Sequence, residues 1–389
     1  MEREKHCWAQ VDLDAIRHNF QLVKKASGGN ICAVVKADAY GHGDAAVTRV
    51  LEAEGAFAFG VSCLAEALSL RRAGVSRPVL ILGHTQPDHA ALLAENHLWQ
   101  TVYSAEYAQA LSAAATAAGV KVECHLKLDT GMGRLGFGLR CPEDLESCVA
   151  EVLPYLSLPG LAFTGVFMHF AVADSLDDGD IAYTHQQYRL FRLAVDRLEA
   201  LGHSFQVVHC CNSAASFTHP EWKEDMVRPG IVLYGCQPSD DTTLPGLQPA
   251  LSLRTVVTQV KALQPGQSVS YGRTFTAPHA MTVAVLAAGY ADGYPRSLSG
   301  QGLVLIRGVA CPVLGRVCMD QMMVDVSAAS GVARGDEAVL FGAGGAQSAA
   351  QAAALCGTIP YELLCRVSRR VPRLYVQQGK TPFFANYLE

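Results

Sequence analysis

The chain has no long run of like charge, no apolar run long enough to cross a bilayer and no C-x-x-C pair of cysteines. Its 389 residues carry a formal net charge of -5, and the charges are scattered, so the composition does not favour nucleic acid or an anionic membrane as a partner. The N-terminal residues M-E-R-E-K-H-C-W contain no apolar segment of the signal-peptide type. The sequence therefore predicts a cytoplasmic protein whose partner is a small molecule.

Signals of metal binding are lacking as well. The thirteen histidines never cluster with cysteines or carboxylates at the spacing of zinc ligands, so we predict no metal site. The thirteen cysteines are an odd number, and their one tight pair is the adjacent Cys210-Cys211. Because most of them lie in apolar stretches, we interpret them as reduced core residues.

Half of the residues are hydrophobic, and they are arranged in a regular alternation between about residue 11 and residue 235. The predicted strands cover residues 31–35, 57–61, 79–82, 100–102, 122–128, 161–168, 206–209 and 226–233. Amphipathic helical patterns lie between them, for example at residues 45–54, 64–73, 105–118 and 181–201. Eight β/α units in about 225 residues are typical of a TIM (β/α)8 barrel, and a doubly wound sheet is the alternative.

The stretch 237–249, which contains P-S-D-D-T-T-L-P-G, interrupts this alternation and predicts a linker. After it come β-rich runs at residues 251–263, 281–288, 303–306, 321–326 and 338–341, with helical patterns only at 348–356 and 361–369. We therefore predict an α/β fold with a barrel in residues 1–240 and a mostly β domain in residues 241–389. In an alternative arrangement, roughly the first ten residues pair with the second domain and not with the barrel.

Residues 33–43, A-V-V-K-A-D-A-Y-G-H-G, place Lys36 directly after a buried β-branched run. If this run is a strand of a parallel barrel, Lys36 lies at the carboxyl end of the strand, where such folds carry their chemistry. The alternative is a lysine that has just left the core and points to solvent. The strand alone does not decide between the two.

Further polar residues follow the later predicted strands, namely Arg134, His169, Asn212, Ser213 and Arg228. Arg134 lies in D-T-G-M-G-R-L-G-F, whose glycines permit a loop with positive φ, and an arginine there could bind a carboxylate through two hydrogen bonds. The run Arg228-Pro229-Gly230-Ile231 offers backbone amides that suit a phosphate. Taken singly, these features also fit a solvated arginine, a core histidine and a plain turn.

The combination is more specific than its members. A lysine on a barrel strand, a phosphate cradle of Ser213 with the Gly230 and Ile231 amides, and a nearby arginine match the needs of pyridoxal phosphate. That cofactor requires an amine for a Schiff base, a phosphate clamp and a partner for its pyridine nitrogen. We therefore infer pyridoxal 5'-phosphate as the cofactor.

A series of motifs resembles the bacterial alanine racemase family, and the motifs occur in the order of that family from residue 33 to residue 375. They are A-V-V-K-A-D-A-Y-G-H-G, L-D-T-G-M-G-R-L-G-F, M-H-F-A-V-A-D, C-N-S-A-A-S, V-R-P-G-I-V-L-Y-G, V-S-Y-G-R-T-F, G-Y-A-D-G-Y-P-R, G-R-V-C-M-D-Q-M-M-V-D and P-Y-E-L-L-C-R-V-S-R-R-V-P-R-L-Y. The resemblance covers nearly the whole chain.

The resemblance implies two catalytic residues. Lys36 corresponds to the lysine that holds the cofactor and acts as the base on the D-face of the substrate. Tyr271 corresponds to the base on the L-face, which reaches in from the other subunit of a homodimer, and His169 corresponds to its hydrogen-bond partner. Racemisation needs two bases on opposite faces, because a proton removed from one side must be returned from the other. A free lysine has a pKa near 10.4, so we expect the surroundings of Lys36 to lower it.

The resemblance also implies the binding residues. The cofactor contacts would be Lys36, Tyr40, His169, Asn212, Ser213, Arg228, Gly230, Ile231 and Tyr361, with Arg228 facing the pyridine nitrogen. Arg134 and the backbone amide of Met319 would hold the substrate carboxylate. Asp320 and Tyr290 would line the entrance from the second subunit. Lys127 corresponds to a lysine that relatives carry as a carbamate, with a plain ion pair as the alternative.

The implied activity is the interconversion of L-alanine and D-alanine, which supplies D-alanine for peptidoglycan. A serine-preferring racemase is the nearest alternative, since such relatives tend to carry Asn where this chain has Tyr361. A non-catalytic carrier of pyridoxal phosphate would be a barrel alone. A decarboxylase of the same fold would place a carboxylate, not Arg228, opposite the pyridine nitrogen.

Overall fold

The computed structural model describes residues 6–388, so the ends of the two predicted domains, residues 1–5 and 389, lie outside the described residues. The strands are β1 (Cys7–Asp12), β2 (Asn30–Val34), β3 (Ala58–Val61), β4 (Val79–Ile81), β5 (Leu98–Val102), β6 (Val122–Asp129), β7 (Phe137–Gly138), β8 (Leu161–Phe167), β9 (Val207–His209), β10 (Met226–Val227), β11 (Leu251–Leu263), β12 (Ser268–Val269), β13 (Phe275–Thr276), β14 (Met281–Leu286), β15 (Leu303–Ile306), β16 (Val309–Leu314), β17 (Met322–Asp325), β18 (Glu337–Gly342), β19 (Arg373–Val376) and β20 (Phe383–Ala385). The helices are α1 (Leu13–Ser27), α2 (Lys36–Tyr40), α3 (Asp44–Ala53), α4 (Leu64–Arg72), α5 (Ala90–Glu95), α6 (Ala105–Ala117), α7 (Leu145–Leu156), α8 (Asp178–Ala200), α9 (Ala215–Thr218), α10 (Ala349–Leu355) and α11 (Pro360–Cys365).

Eight parallel strands form a barrel in the order β10, β2, β3, β4, β5, β6, β8 and β9. Between β9 and β10 the backbone amide of Asp225 donates to the carbonyl of Val208, and the amide of Arg228 donates to the carbonyl of Cys211. Strands β3, β4 and β5 are buried along their whole length, as expected for a sheet covered by helices outside and filled by side chains inside. The prediction of a TIM barrel is confirmed.

Helix α1 shows how individual residues determine where a helix begins and ends. The side chain of Asp12 accepts hydrogen bonds from the amides of Asp14 and Ala15 and caps the first turn. Gly28 ends the helix with φ of 61°, a left-handed conformation that suits glycine. One face of the helix is apolar and buried against the barrel, so the capping and the periodicity agree.

Two predicted elements are too long. The predicted strand 226–233 stops at Val227, and a 3-10 helix, Ile231–Tyr234, follows it. The strand ends because Pro229 has no N–H and the amide of Gly230 donates to the side chain of Ser213 and not to a neighbouring strand. The predicted helix 361–369 ends at Cys365, and the amide of Ser368 donates instead to the carbonyl of Asp292.

The second domain is mostly β, as predicted. Strands β11, β14, β17, β16, β15 and β18 pair in a closed antiparallel ring, because the 13-residue β11 pairs with β18 along one half and with β14 along the other. Strand β1 pairs antiparallel with β11 and parallel with β19, so the first described strand of the chain belongs to this sheet.

The second domain packs on the first β/α connection of the barrel. A Cβ atom at Gly41 would lie 2.3 Å from the carbonyl oxygen of Leu364 in helix α11. The hydroxyl of Tyr375 donates to the carbonyl of His42 at 3.1 Å. Helix α11 therefore forms one wall of the barrel mouth. Within residues 6–388, no helix has the length and apolar character needed to span a membrane.

Candidate active site

A cavity of about 690 Å³ opens at the carboxyl ends of the barrel strands. Its lining includes most of the residues singled out in the sequence: Lys36, Tyr40, Lys127, Arg134, His169, Asn212, Ser213, Arg228, Gly230, Ile231 and Tyr361. Tyr361 comes from helix α11, and the others follow or end the barrel strands. Side chains separated by more than 300 residues in the sequence therefore share one cavity.

Lys36 begins an unusual turn. Ala37, Asp38, Ala39 and Tyr40 all have φ between 52° and 56°, so the segment labelled α2 is a left-handed helical turn built from residues other than glycine. Such a conformation costs L-residues roughly 1–2 kcal/mol each, and it persists where the surroundings hold it. Burial, assisted by the nearby Arg134, lowers the pKa of Lys36, as expected from the sequence.

Glu66 in helix α4 is one of the groups that hold this turn. Its Oε1 accepts a hydrogen bond from the amide of Ala37 at 2.7 Å, and its Oε2 accepts one from the amide of Ser62 at 2.7 Å. A single carboxylate thus ties the ends of strands β2 and β3 together next to Lys36. Because ionised acceptors make the stronger hydrogen bonds, this is a firm anchor for the start of the turn.

The predicted phosphate cradle is compact. The amide of Gly230 donates to Oγ of Ser213 at 2.8 Å. A Cβ atom at Gly230 would lie 2.6 Å from the hydroxyl of Tyr40, so only glycine allows this hydroxyl to approach the turn. Asn212 shapes the same corner, because its Oδ1 accepts from the amide of Ala215 at 3.0 Å.

Arg228 is only 4% exposed, and its guanidinium is fixed by the barrel wall. It donates to the carbonyls of Met168 at 2.7 Å and Cys210 at 2.9 Å, and to Nδ1 of His209 at 2.7 Å. Arginine can only donate, so His209 accepts at Nδ1 and carries its proton on Nε2. Burial, followed by the charge of Arg228, lowers the pKa of His209 well below its usual value. The arginine therefore faces a neutral imidazole. Burial lowers the pKa of Arg228 itself, but a guanidinium stays protonated in proteins.

The proton on Nε2 of His209 points to a second buried histidine. His125 places Nδ1 at 2.9 Å from Nε2 of His209, and its ring stacks on Trp99 at 4.6 Å between centres. Burial lowers the pKa of His125 to about 3, so it too is neutral at physiological pH. These two rings form a polar layer inside the barrel, directly beneath Arg228.

The loop that carries Arg134 has the predicted glycine geometry. Gly131, Gly133 and Gly136 all have positive φ, and the amides of Gly131 and Gly133 donate to Oδ1 of Asp129 at 3.1 and 2.9 Å. Asp129 also accepts from Arg140 at 3.2 Å. Arg134 itself is exposed at the rim of the cavity, where its guanidinium is free to meet a carboxylate from solvent.

Four predicted residues do not line the cavity of this chain: Tyr271, Tyr290, Met319 and Asp320. Tyr271 is 72% exposed, Met319 is 52% exposed and Tyr290 is 41% exposed. Backbone hydrogen bonds hold Tyr290 to the carbonyl of Cys318, while Oγ of Ser270 donates to the carbonyl of Arg316. These four residues therefore share one surface of the second domain, which we call the C-terminal patch.

Family models describe both parts of the chain. The model for the N-terminal domain of alanine racemase matches residues 11–238, and the model for its C-terminal domain matches residues 250–375. The chain belongs to the alanine racemase family. It is accordingly an enzyme, an amino-acid racemase of the isomerase class.

Relatives of this racemase match over nearly its full length. The alanine racemase of Desulforamulus reducens is 44% identical over 373 residues, which are 95% of this chain and 98% of the relative. That of Desulfovibrio desulfuricans is 44% identical over 377 residues, or 96% and 99% of the two chains. The structure of alanine racemase from Clostridium difficile 630 matches with a TM-score of 0.93 at 37% identity over 100% of both chains. The structure from Bacillus anthracis with bound L-Ala-P matches with a TM-score of 0.90 at 35% identity, over 100% of this chain and 99% of that one.

Three residues beside the racemase cavity are not singled out by the sequence patterns. His209 ends a predicted strand shortly before Asn212 and Ser213, and its place at the strand end was the available signal. Glu66 lies four residues after Ser62, near the start of a helix, where a carboxylate commonly caps free amides. His125 lies in the middle of a strand and gives no signal of its own.

Proposed function

We propose that this racemase interconverts L-alanine and D-alanine with pyridoxal phosphate, supplying D-alanine for cell-wall synthesis. The observation that carries the proposal is the convergence of Lys36, the Ser213–Gly230 cradle and Arg228 on one cavity. The cytoplasmic location and the domain boundary near residue 240 stay predictions from the sequence.

The donor set of the cavity fits pyridoxal phosphate. Lys36 offers a primary amine whose lowered pKa makes the neutral, nucleophilic form more available. The hydroxyls of Tyr40 and Ser213 and the amides beside them offer donors for a phosphate, and Arg228 offers a fixed donor for a ring nitrogen. When bound, the cofactor supplies an electron sink that acidifies the Cα–H bond of the amino acid. A permanently charged arginine leaves the ring nitrogen unprotonated, which limits that sink and favours quick return of the proton to Cα.

Two residues of the protein would move the proton. The amine of Lys36 would take a proton from one face of Cα, and the hydroxyl of Tyr271 would give its own proton to the other face. In the reverse direction the phenolate oxygen of Tyr271 would take the proton and the protonated amine of Lys36 would give one. Tyr271 lies on an exposed patch of this chain and not in its cavity, and exposed aromatic clusters commonly mark interfaces. We therefore propose a homodimer in which the C-terminal patch of one protomer completes the cavity of the other.

The substrate would be held by its carboxylate. Arg134 at the rim of the cavity and the amide of Met319 from the partner subunit are the proposed donors, and a bidentate arginine fixes the orientation of a carboxylate. Asp320 and Tyr290 of the partner subunit would line the entrance. In this chain Asp320 is already held, because it accepts from Arg370 at 2.8 Å.

The proposal is tested by a racemisation assay of the purified protein with pyridoxal phosphate and L-alanine, alongside peptide mapping after borohydride reduction. We expect conversion of L-alanine to D-alanine and a reduced cofactor attached to Lys36. The absence of racemisation, or attachment at another lysine, would overturn it.

Alanine preference over serine depends on the bulk of Tyr361. Its ring lies 6.2 Å from that of Tyr40, and its hydroxyl donates to the carbonyl of Pro238 at 3.3 Å. We expect Tyr361→Asn to raise kcat/KM for serine relative to alanine by roughly tenfold to a hundredfold, the range that pocket size alone can supply. The measurement is kcat/KM for both amino acids side by side. Tyr361→Phe is the control, and it should keep the wild-type ratio because it keeps the ring. A wild-type protein that prefers serine would contradict the assignment.

Lys127 has the environment of a lysine that is easily modified. It is 3% exposed, its Nζ lies 4.4 Å from the centre of the Phe167 ring, and the nearby Asp129 pairs with Arg140 instead. Burial, followed by the charges of Arg228 and Arg134, lowers the pKa of Lys127 to about 7. The neutral amine is the form that adds carbon dioxide, so these features support the proposed carbamate beside Arg134.

Without carbon dioxide, Lys127→Met should stabilise the protein at neutral pH. The unfolded lysine takes up a proton below its usual pKa of 10.5, whereas the folded one resists it down to about 7. The lowered pKa of Lys127 therefore reduces the free energy of unfolding of the wild type by roughly 3–5 kcal/mol below pH 7, at 1.36 kcal/mol for each pKa unit. This reduction disappears as the pH rises to about 10.5. Chemical denaturation of both proteins, at equal concentration and at several pH values, measures the difference between their free energies of unfolding.

Bicarbonate supplies the control for this experiment. A carbamate has no such proton to gain, so added bicarbonate should raise the stability of the wild type at neutral pH and leave Lys127→Met unchanged. A stability gap that does not vary between pH 6 and pH 10 would contradict the lowered pKa. No response to bicarbonate would contradict the carbamate.

A further inference from the structure

The last part of the chain returns to the turn that carries Lys36. The family match ends at residue 375, and strand β20 then pairs antiparallel with β19. We call residues 377–388 the C-terminal strap. Near its end, the hydroxyl of Tyr387 donates to Oδ2 of Asp38 at 2.8 Å. The strap thus makes a side-chain hydrogen bond with a residue two positions after Lys36.

The turn at residues 37–40 has to be held from outside, because four consecutive L-residues occupy the left-handed region. At the start of the turn, Glu66 accepts a hydrogen bond from the amide of Ala37. Asp38 fixes its exit, since its Oδ1 accepts from the amide of Asp44 at 2.9 Å at the start of helix α3. That bond uses one oxygen of the carboxylate, and the hydroxyl of Tyr387 uses the other. The orientation of Asp38 therefore depends on the strap.

Tyr387 is itself held in place. The guanidinium carbon of Arg373 lies 5.0 Å from the centre of its ring, and that of Arg369 lies 5.8 Å from it. Arg373 is 1% exposed, donates to the carbonyl of Gly41 at 3.0 Å and lies 3.7 Å from Oδ2 of Asp38. The buried arginine touches the turn at Gly41 and at Asp38, and Tyr387 covers it. The strap, the arginine and the turn form one connected network.

We propose that Tyr387 is a positioning residue for Lys36: through Asp38, its hydroxyl holds the left-handed turn in shape and so sets where the lysine amine lies in the cavity. The proposal rests on the proposed role of Lys36. A misplaced amine reaches the reacting carbon less often, and small displacements of a reacting group carry large costs in rate. The alternative is a strap that only anchors the end of the chain and leaves Lys36 unaffected.

Tyr387→Phe tests the proposal, because it keeps the ring over Arg373 and removes the hydroxyl that donates to Asp38 and also contacts the hydroxyl of Tyr375. Tyr188→Phe is a matched control, since it removes a tyrosine hydroxyl that donates to Glu224 at 2.9 Å, with neither residue lining the cavity. Amide hydrogen exchange of peptides covering residues 36–44 reports the turn, and kcat and KM for L-alanine report the site.

In Tyr387→Phe we expect exchange in residues 36–44 to rise roughly fivefold or more, because a turn with fewer restraints opens more often. We expect kcat to fall roughly threefold to tenfold, with KM within about twofold because Arg134 lies on a separate loop. Tyr188→Phe should change neither. Asp38→Asn, which alters the acceptor of the same bond, should repeat both changes.

Unchanged exchange or unchanged kcat in Tyr387→Phe would overturn the proposal and leave the strap as a plain anchor. The exchange measurement needs no catalytic activity. A failure of the proposed function would therefore appear in the wild-type racemisation assay, whereas a failure of the positioning role would appear in the comparison of the two tyrosine variants.

Discussion

Tyr271→Phe is expected to lose racemisation while keeping the absorbance of the bound cofactor. The substitution removes only the hydroxyl that would exchange a proton on the L-face of the substrate, and the ring stays. Positioned general acids and bases contribute roughly 10²–10⁴-fold to a rate, so we expect kcat to fall by about that factor. The measurement is kcat for both enantiomers of alanine, with the cofactor spectrum recorded on the same sample.

The variant should fold, because Tyr271 makes little contact with its own chain. It is 72% exposed, and the short turn Tyr271–Arg273 is anchored by Ser270 and not by the tyrosine ring. Tyr188→Phe, which removes a tyrosine hydroxyl outside both the cavity lining and the C-terminal patch, is the control and should keep the wild-type kcat. Full activity in Tyr271→Phe would rule out the two-base role.

Lys36→Ala is expected to lose both the borohydride-trapped cofactor and racemisation, with kcat reduced by about 10³-fold or more, since one residue would supply both the attachment and the base. Its side chain leaves the turn into the cavity, where burial lowers its pKa. The measurement is peptide mapping after reduction, together with kcat.

Lys127→Ala is the matched control for this experiment, because Lys127 is a second lysine of the same cavity and its pKa is lowered too. It should still trap the cofactor at Lys36. If Lys36→Ala kept its activity, or the wild type trapped the cofactor at Lys127, the assignment of the central lysine would be wrong.

The fold follows from the sequence because its signals are local. Buried β-branched runs, helical periodicity and capping groups such as Asp12 lie within a few residues of one another. The place of Lys36 at a strand end follows from the same alternation. The end of the eighth strand could not be predicted in this way. Ile231, Val232 and Leu233 have the pattern of a strand, and the hydrogen bond from the Gly230 amide to Ser213 that ends the strand is not visible in the sequence.

The left-handed turn could not be predicted, because Ala and Tyr disfavour that conformation and two of the side chains that hold it come from distant elements. Glu66 lies 29 residues from Ala37, and Tyr387 lies 349 residues from Asp38. Tyr271 is a harder case, because an exposed tyrosine in a short turn carries no local signal of catalysis. The catalytic role of Tyr271 was inferred from the resemblance alone. The cavity that Tyr271 would complete belongs to the partner subunit and not to its own chain.

The central claim is that each active site combines Lys36 of one protomer with Tyr271 of the partner subunit. Mixing the inactive Lys36→Ala and Tyr271→Phe proteins under conditions that let dimers exchange tests it most directly. Each hybrid dimer would have one cavity with both wild-type residues and one with neither. Random exchange makes half of the dimers hybrid, each with one of its two sites intact, so we predict recovery of about a quarter of the wild-type activity. If native mass spectrometry detected the hybrids and no activity returned, both bases would belong to the same chain, and the claim would be contradicted.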